Sequence, residues 1–144
     1  MQVYTPCARD NDKYPKLWGK RILVVEDDIV IAVDYYFQLR DVGAEALAYA
    51  STNKAALDYL ATHDIDAAIV DYRLRDGTCE QVLQSLEGRD IPFVVVSGCT
   101  FEMRSLDSPH VLSKPVAPTV IWRALSEAMH GGHQQRRRGT YVMD

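Results

Sequence analysis

Along the chain, short apolar runs alternate with longer stretches in which apolar residues recur every three or four positions. The runs lie within Arg21–Val25, Ala67–Val70, Ile91–Val96 and Val111–Ser113, with Glu45–Ala50 a weaker fifth. Runs of this length, apolar on successive residues, read as strands buried on both faces, the form that parallel sheets require. The stretches between them read as helices. From Ile29 to Val42, the residues Val30, Val33 and Phe37, with Tyr36 and Leu39, share a helical face, and Gly43 suits the position just past the helix end. Ser51-Thr52-Asn53 offers N-caps to a helix through Ala55, Ala56, Leu57, Leu60 and Ala61. A third helix runs from Thr78 to Leu86 with Val82, Leu83 and Leu86 inward, and a last one from about Pro118 to His130 with Val120, Ile121, Leu125 and Met129 inward. Between Ser97 and Lys114, the segment Phe101 to Leu106 has room for one or two helical turns. Strand and helix alternate, so the expected fold class is α/β, a doubly wound parallel sheet.

The ends of the chain lack this periodicity. Residues 1–19 carry Pro6, Pro15, Gly19 and a polar cluster from Arg9 to Lys13, and read as an extension that is flexible or packs through Tyr14, Leu17 and Trp18. The domain proper spans residues 20–130. Gly131-Gly132 closes it, and residues 131–144 read as a flexible tail in which Arg136, Arg137 and Arg138 form a solvated charge run. The 144 residues, 47% hydrophobic and 25% charged, describe one soluble domain with an ordinary core. A net charge of −4 and a pI near 5.5 argue against a nucleic-acid-binding surface, which needs clustered Lys and Arg. No apolar stretch approaches a membrane span and the N-terminus lacks a signal-peptide core, so a cytoplasmic protein is expected. Cys7, Cys79 and Cys99 form no CxxC pair and are odd in number, which favours reduced thiols over a disulfide or zinc framework.

Chemistry is concentrated where the strands end. Asp71 stands where the run Ala67–Val70 emerges at its carboxyl edge, the edge at which open α/β sheets bind ligands. A carboxylate there can serve as metal ligand, nucleophile or general base. The choice comes from the other strand ends: Glu26-Asp27-Asp28 after the first, Ser97 after the fourth, and Lys114-Pro115 after the fifth. If these strands are parallel neighbours, their last residues bring carboxylates, a hydroxyl and an ammonium group to one edge. Clustered carboxylates repel unless a hard divalent cation neutralises them, and all-oxygen ligation suits Mg²⁺. A lysine beside such a cation matches the charge on the equatorial oxygens of a transferring phosphoryl group. The constellation therefore reads as a phosphoryl-accepting aspartate.

The order acidic pair, aspartate, Ser/Thr, Lys-Pro, each at a strand end, resembles the receiver domain of two-component response regulators, from about Lys20 to Met129. The resemblance implies a five-stranded, flavodoxin-like (CheY-like) sheet of strand order 2-1-3-4-5. It implies that Asp71 accepts the phosphoryl group and that the acidic pair maps onto Glu26 and Asp27. Asp27 would bind Mg²⁺ directly, Glu26 mainly through water, and the backbone carbonyl of Arg73 would complete the shell. Ser97 and Lys114 would bind the phosphoryl oxygens, and a cis Lys114-Pro115 bond is common in the family. Asp28 is explained by a helix N-terminus alone. The phosphodonor partner would be a sensor histidine kinase or a histidine phosphotransfer protein. Such a domain is no enzyme toward a separate substrate, although it promotes its own phosphorylation and reset. Because no DNA-binding domain follows Met129, output is expected from phosphorylation-dependent binding of another protein, and a homodimer is left open.

Two positions and one interval depart from the commonest receiver pattern. Arg75 stands where a proline is usual, four residues after the aspartate, while Leu74 and Gly77 keep the apolar plug and the turn. The interval from Ser97 to Lys114 is short for a helix and a strand, and Val111 replaces the aromatic residue usual three positions before the lysine. The abbreviated fourth helix resembles a group of stand-alone receivers from alphaproteobacteria. The alternative is a degenerate receiver that binds partners without phosphorylation. A phosphoaspartate-forming hydrolase usually needs a second aspartate two residues after the nucleophile, where this chain has Arg73. A dinucleotide-binding reading lacks the Gly-rich turn after the first strand.

Overall fold

A computed structural model describes residues 14–98 and 111–130. The strands β1 (Arg21–Val25), β2 (Ala46–Ala50), β3 (Ala67–Asp71), β4 (Phe93–Ser97) and β5 (Val111–Ser113) form one parallel sheet in the order 2-1-3-4-5. The helices α1 (Ile29–Asp41), α2 (Asn53–Thr62), α3 (Glu80–Gly88) and α4 (Pro118–His130) connect and flank it. Directly after β3, Arg73–Leu74 pairs antiparallel with Gly77–Thr78 in a small hairpin. This is the doubly wound arrangement expected from the alternation of runs. The abbreviated helix expected at Phe101 to Leu106, the tail, Cys7 and Cys99 lie outside the described residues.

Two apolar layers hold the sheet between them. On one face Leu23, Val25, Ala68, Val70 and Val95 pack against Ala56 and Leu60 of α2 and Val82, Leu83 and Leu86 of α3. On the other, Ile22, Val24, Ile69, Val94 and Val96 pack against Ala32, Tyr35 and Leu39 of α1 and Ile121, Trp122 and Leu125 of α4. Alternate residues of each strand serve alternate layers, as a pleated strand demands. Val111 joins the first layer and Leu112 the second, which places the residue in the usual aromatic position on the α2–α3 side.

Helix ends follow local chemistry. Asp28 caps α1, its Oδ1 accepting from the Val30 amide at 2.9 Å, and Thr52 caps α2, its Oγ1 accepting from the Ala55 amide at 3.0 Å. Gly43, at φ 96°, follows the end of α1 and takes the left-handed conformation that ends helices.

The face of α1 differs from expectation. Ala32, Tyr35 and Leu39 point inward, whereas Val30 is 73% and Phe37 58% exposed, with Val33 and Tyr36 also largely outward. The helix is apolar nearly all round, so two stripes compete, and the inner place goes to the one whose Tyr35 meets Trp122 edge to face at 6.1 Å. In α4, Val120 is exposed while Trp122 is buried. His63 ends α2 and stacks on Tyr59 at 4.1 Å.

Part of the N-terminal extension belongs to the folded unit. Pro15–Leu17 forms a 3-10 turn, Leu17 is fully buried in the α1–α4 layer, and the Gly19 amide donates to the Gly43 carbonyl at 2.8 Å. The Tyr14 phenol donates to the Thr119 carbonyl at 3.4 Å, whereas Trp18 points outward. Leu17→Ala is therefore expected to lower stability by about 2–4 kcal/mol through the cavity it leaves. Trp18→Ala should stay within about 0.5 kcal/mol, and denaturant unfolding of the two variants checks the contrast.

Candidate functional site

Parallel register brings the chemical residues together. Val25 of β1 pairs with Val70 of β3, so the next residues, Glu26 and Asp71, emerge side by side. Asp71 pairs with Val96 of β4, so Ser97 leaves the sheet one residue further along, and Ser97 pairs with Ser113, immediately before Lys114. The Lys114 amide donates to the Ser97 carbonyl at 2.7 Å, and the Lys114-Pro115 peptide bond is cis. Side chains converge accordingly. Carboxylate oxygens of Glu26, Asp27 and Asp71 all lie within 4.8 Å of one another, and Lys114 Nζ stands 3.4 Å from both Glu26 Oε2 and Asp71 Oδ2.

Glu26, Asp71 and Ser97 are buried, Asp27 is half-buried, and Lys114 keeps part of its side chain in solvent. Burial, then the charge of Asp71 and a hydrogen bond to it, push the Glu26 carboxyl up to about 8. The Asp28 amide, which donates to Glu26 Oε1 at 3.2 Å, and Lys114 pull the other way. For Lys114, burial works against the charge, but Asp71 and then Glu26 outweigh it and hold the ammonium above its ordinary value. Negative charge thus exceeds what one lysine compensates. An all-carboxylate donor set of this size fits a hard divalent cation.

The turn after Asp71 was less legible than the strand ends. Leu74 is buried beneath the hairpin and Gly77 turns it at φ 128°, as expected, while Arg73 and Arg75 are exposed. Arg73 opens the hairpin, paired with Thr78. Two supports had no counterpart in the strand-end motifs. The Asp76 carboxylate reaches the first turn of α2, and Glu80 accepts from the Tyr72 phenol at 3.1 Å and from the Thr78 hydroxyl. An aspartate before a turn glycine was the available signal for the first. Cys79, beside them, is buried and free, and burial pushes its thiol up.

No family model and no curated protein sequence matches the chain. Solved structures do. A response regulator receiver protein from Sinorhizobium medicae superposes with a TM-score of 0.71 at 22% identity, over 79% of this chain and 97% of that one. The receiver domain of a sensor histidine kinase from Pseudomonas aeruginosa, crystallised with a magnesium ion coordinated in its active site cleft, gives 0.68 at 20% identity, over 78% and 98%. The response regulator PhyR from Brucella abortus gives 0.69 at 20% identity, over 87% of this chain but 54% of that protein. The fold is that of the CheY-like receiver domains of response regulators, and single-domain receivers are among the proteins that share it.

Glu26 has a folded-state value above its unfolded one, so its protonation favours folding. That contribution is complete below the unfolded value near 4.5 and is lost as pH rises through about 8. In chelator, the melting temperature of the metal-free chain is expected to fall between about pH 5 and pH 8. Glu26→Gln, which keeps the shape without the charge, should flatten that slope in the same thermal scans.

Proposed function

We propose that the chain is a single-domain response regulator that accepts a phosphoryl group on Asp71. The observation that carries the reading is the contact set of Asp71: a buried carboxylate at the end of a central strand, 3.4 Å from Lys114 Nζ and clustered with Glu26 and Asp27. In the transfer, an Asp71 oxygen attacks phosphorus, a P–O bond forms, and the P–N bond to the donor's imidazole breaks. Lys114 meets the phosphoryl oxygens with a charge already pointed at Asp71, and Ser97, from the neighbouring strand end, supplies a hydroxyl to them. Mg²⁺, held by Asp27 and Asp71, with Glu26 through water and the Arg73 carbonyl, would neutralise charge on the transferring group. Hydrolysis of the acyl phosphate by water later restores Asp71. The chain is in this sense not an enzyme toward a separate substrate.

The donor is a sensor histidine kinase or a histidine phosphotransfer protein, and the chain works in the cytoplasm. Output is protein binding that differs between the two states, since a state-dependent contact is what a phosphoryl charge can bias. The outward apolar residues of α1, which start just past the acidic turn, are the surface among the described residues best suited to a protein partner.

Incubation with a small-molecule acyl phosphate and Mg²⁺ is expected to add one phosphoryl group by intact mass. The gain should vanish with chelator and in Asp71→Asn. Lys114→Ala should slow it by about 10²-fold or more, the scale of losing a charge-stabilising donor. A wild-type chain that stays unmodified with Mg²⁺ present would make it a degenerate receiver, acting by binding alone.

A further inference from the structure

We infer that Asp76 is a positioning residue for the acidic cluster: it ties the hairpin after Asp71 to the first turn of α2, and so sets how well the cluster holds a divalent cation. The inference rests on the reading of that cluster as the cation-dependent phosphoacceptor site. Asp76 Oδ1 accepts from the Asn53 amide at 2.8 Å and from Asn53 Nδ2 at 3.3 Å, and Oδ2 accepts from the Lys54 amide at 3.1 Å. Asn53 Nδ2 also donates to the Thr78 carbonyl at 2.9 Å, so the same side chain grips the tip and the second strand of the hairpin.

Two features mark this as more than a helix cap. Thr52 already caps α2 from within the chain segment that starts it, whereas Asp76 reaches in from another element. Asn53 is buried, and its Oδ1 has no hydrogen-bond partner among the described residues. Burying an unpaired oxygen is costly, and that cost accompanies an amide nitrogen placed to hold the hairpin.

The tether closes a ring around the site. The Glu26 amide donates to the Ala50 carbonyl at 3.0 Å, which joins the acidic turn to the end of β2. Three residues on, Asn53 and Lys54 hold Asp76, whose hairpin begins two residues after Asp71. Asp76 therefore joins the hairpin tip to the same segment, after β2, to which the Glu26–Asp27 turn is bonded. The base of the hairpin is held separately, by the Cys79 amide on the Tyr72 carbonyl and by Glu80. Loss of Asp76 should move the tip without unfolding the loop.

The test uses the full chain and Mn²⁺ as probe, with binding followed by calorimetry and hairpin amides by hydrogen exchange in chelator. Asp76→Ala is expected to weaken Mn²⁺ by roughly tenfold, the lower end of what supporting residues around metal ligands contribute, and to speed exchange at residues 73–78. Asp76→Asn keeps an oxygen for the Asn53 amide and should recover most of both. Thr52→Ala removes the other cap of the same helix and should leave affinity within about twofold. Wild-type affinity in Asp76→Ala, or an equal loss in Thr52→Ala, overturns the role of Asp76 alone. A wild-type chain that binds no Mn²⁺ overturns the underlying reading of the cluster, and this inference with it.

Discussion

Three carboxylates held within 4.8 Å of one another are the constraint on which the rest of this structure turns. Left to themselves they would separate, because like charges at that range in a partly buried site repel by more than a surface pair does. They stay because the strands that carry them are locked in the core: Val25, which precedes Glu26 and Asp27, and Val70, which precedes Asp71 at the end of β3, are both essentially unexposed. The apolar layers therefore hold the charged edge in place. Lys114 supplies partial compensation from the far strand, and the charge left over is what a cation would neutralise.

The hydrogen bonds around the edge serve the same end. Glu26 receives the Asp28 amide and gives its own to Ala50, so the acidic turn is fixed from both sides. Asp28 itself is turned away into capping α1, which separates it from the working pair although it adjoins them in sequence. One residue of three is structural, and its side-chain bond to Val30 decides which.

What could be read without coordinates was what local rules determine. Strand positions follow from where apolar runs stop, and those stops are sharp; the strand order came with the resemblance to receiver domains, and given that order the convergence of Glu26, Asp27, Asp71 and Lys114 follows. Rotation of a helix is not sharp when apolar residues surround it. In α1 the inward stripe is set by Tyr35 meeting Trp122, a contact between residues far apart in sequence that no periodicity reveals. The Asp76–Asn53 clamp is hidden for a similar reason: an aspartate before a glycine announces a turn, but its partner lies in a helix start on a different strand connection. The packing of residues 14–19, through Leu17, depends likewise on a groove made by α1 and α4.

Departures from local economy gather at one place. A helix that only covered the sheet would turn polar residues outward, yet α1 exposes Val30, Val33 and Phe37 while burying the small Ala32. Tyr36 packs edge to face on Phe37 at 5.4 Å, with the Arg40 guanidinium 5.7 Å from the Tyr36 ring, which partly shields an outward cluster that nothing else in the chain covers among the described residues. The other departure, crowded carboxylates, lies at the start of the same helix. Surplus charge within and surplus apolar surface without both weaken an isolated domain, and proteins concentrate such conflicts where they bind something. Both begin at the β1–α1 junction, so a protein seated on the outward face of α1 would stand beside the acidic cluster.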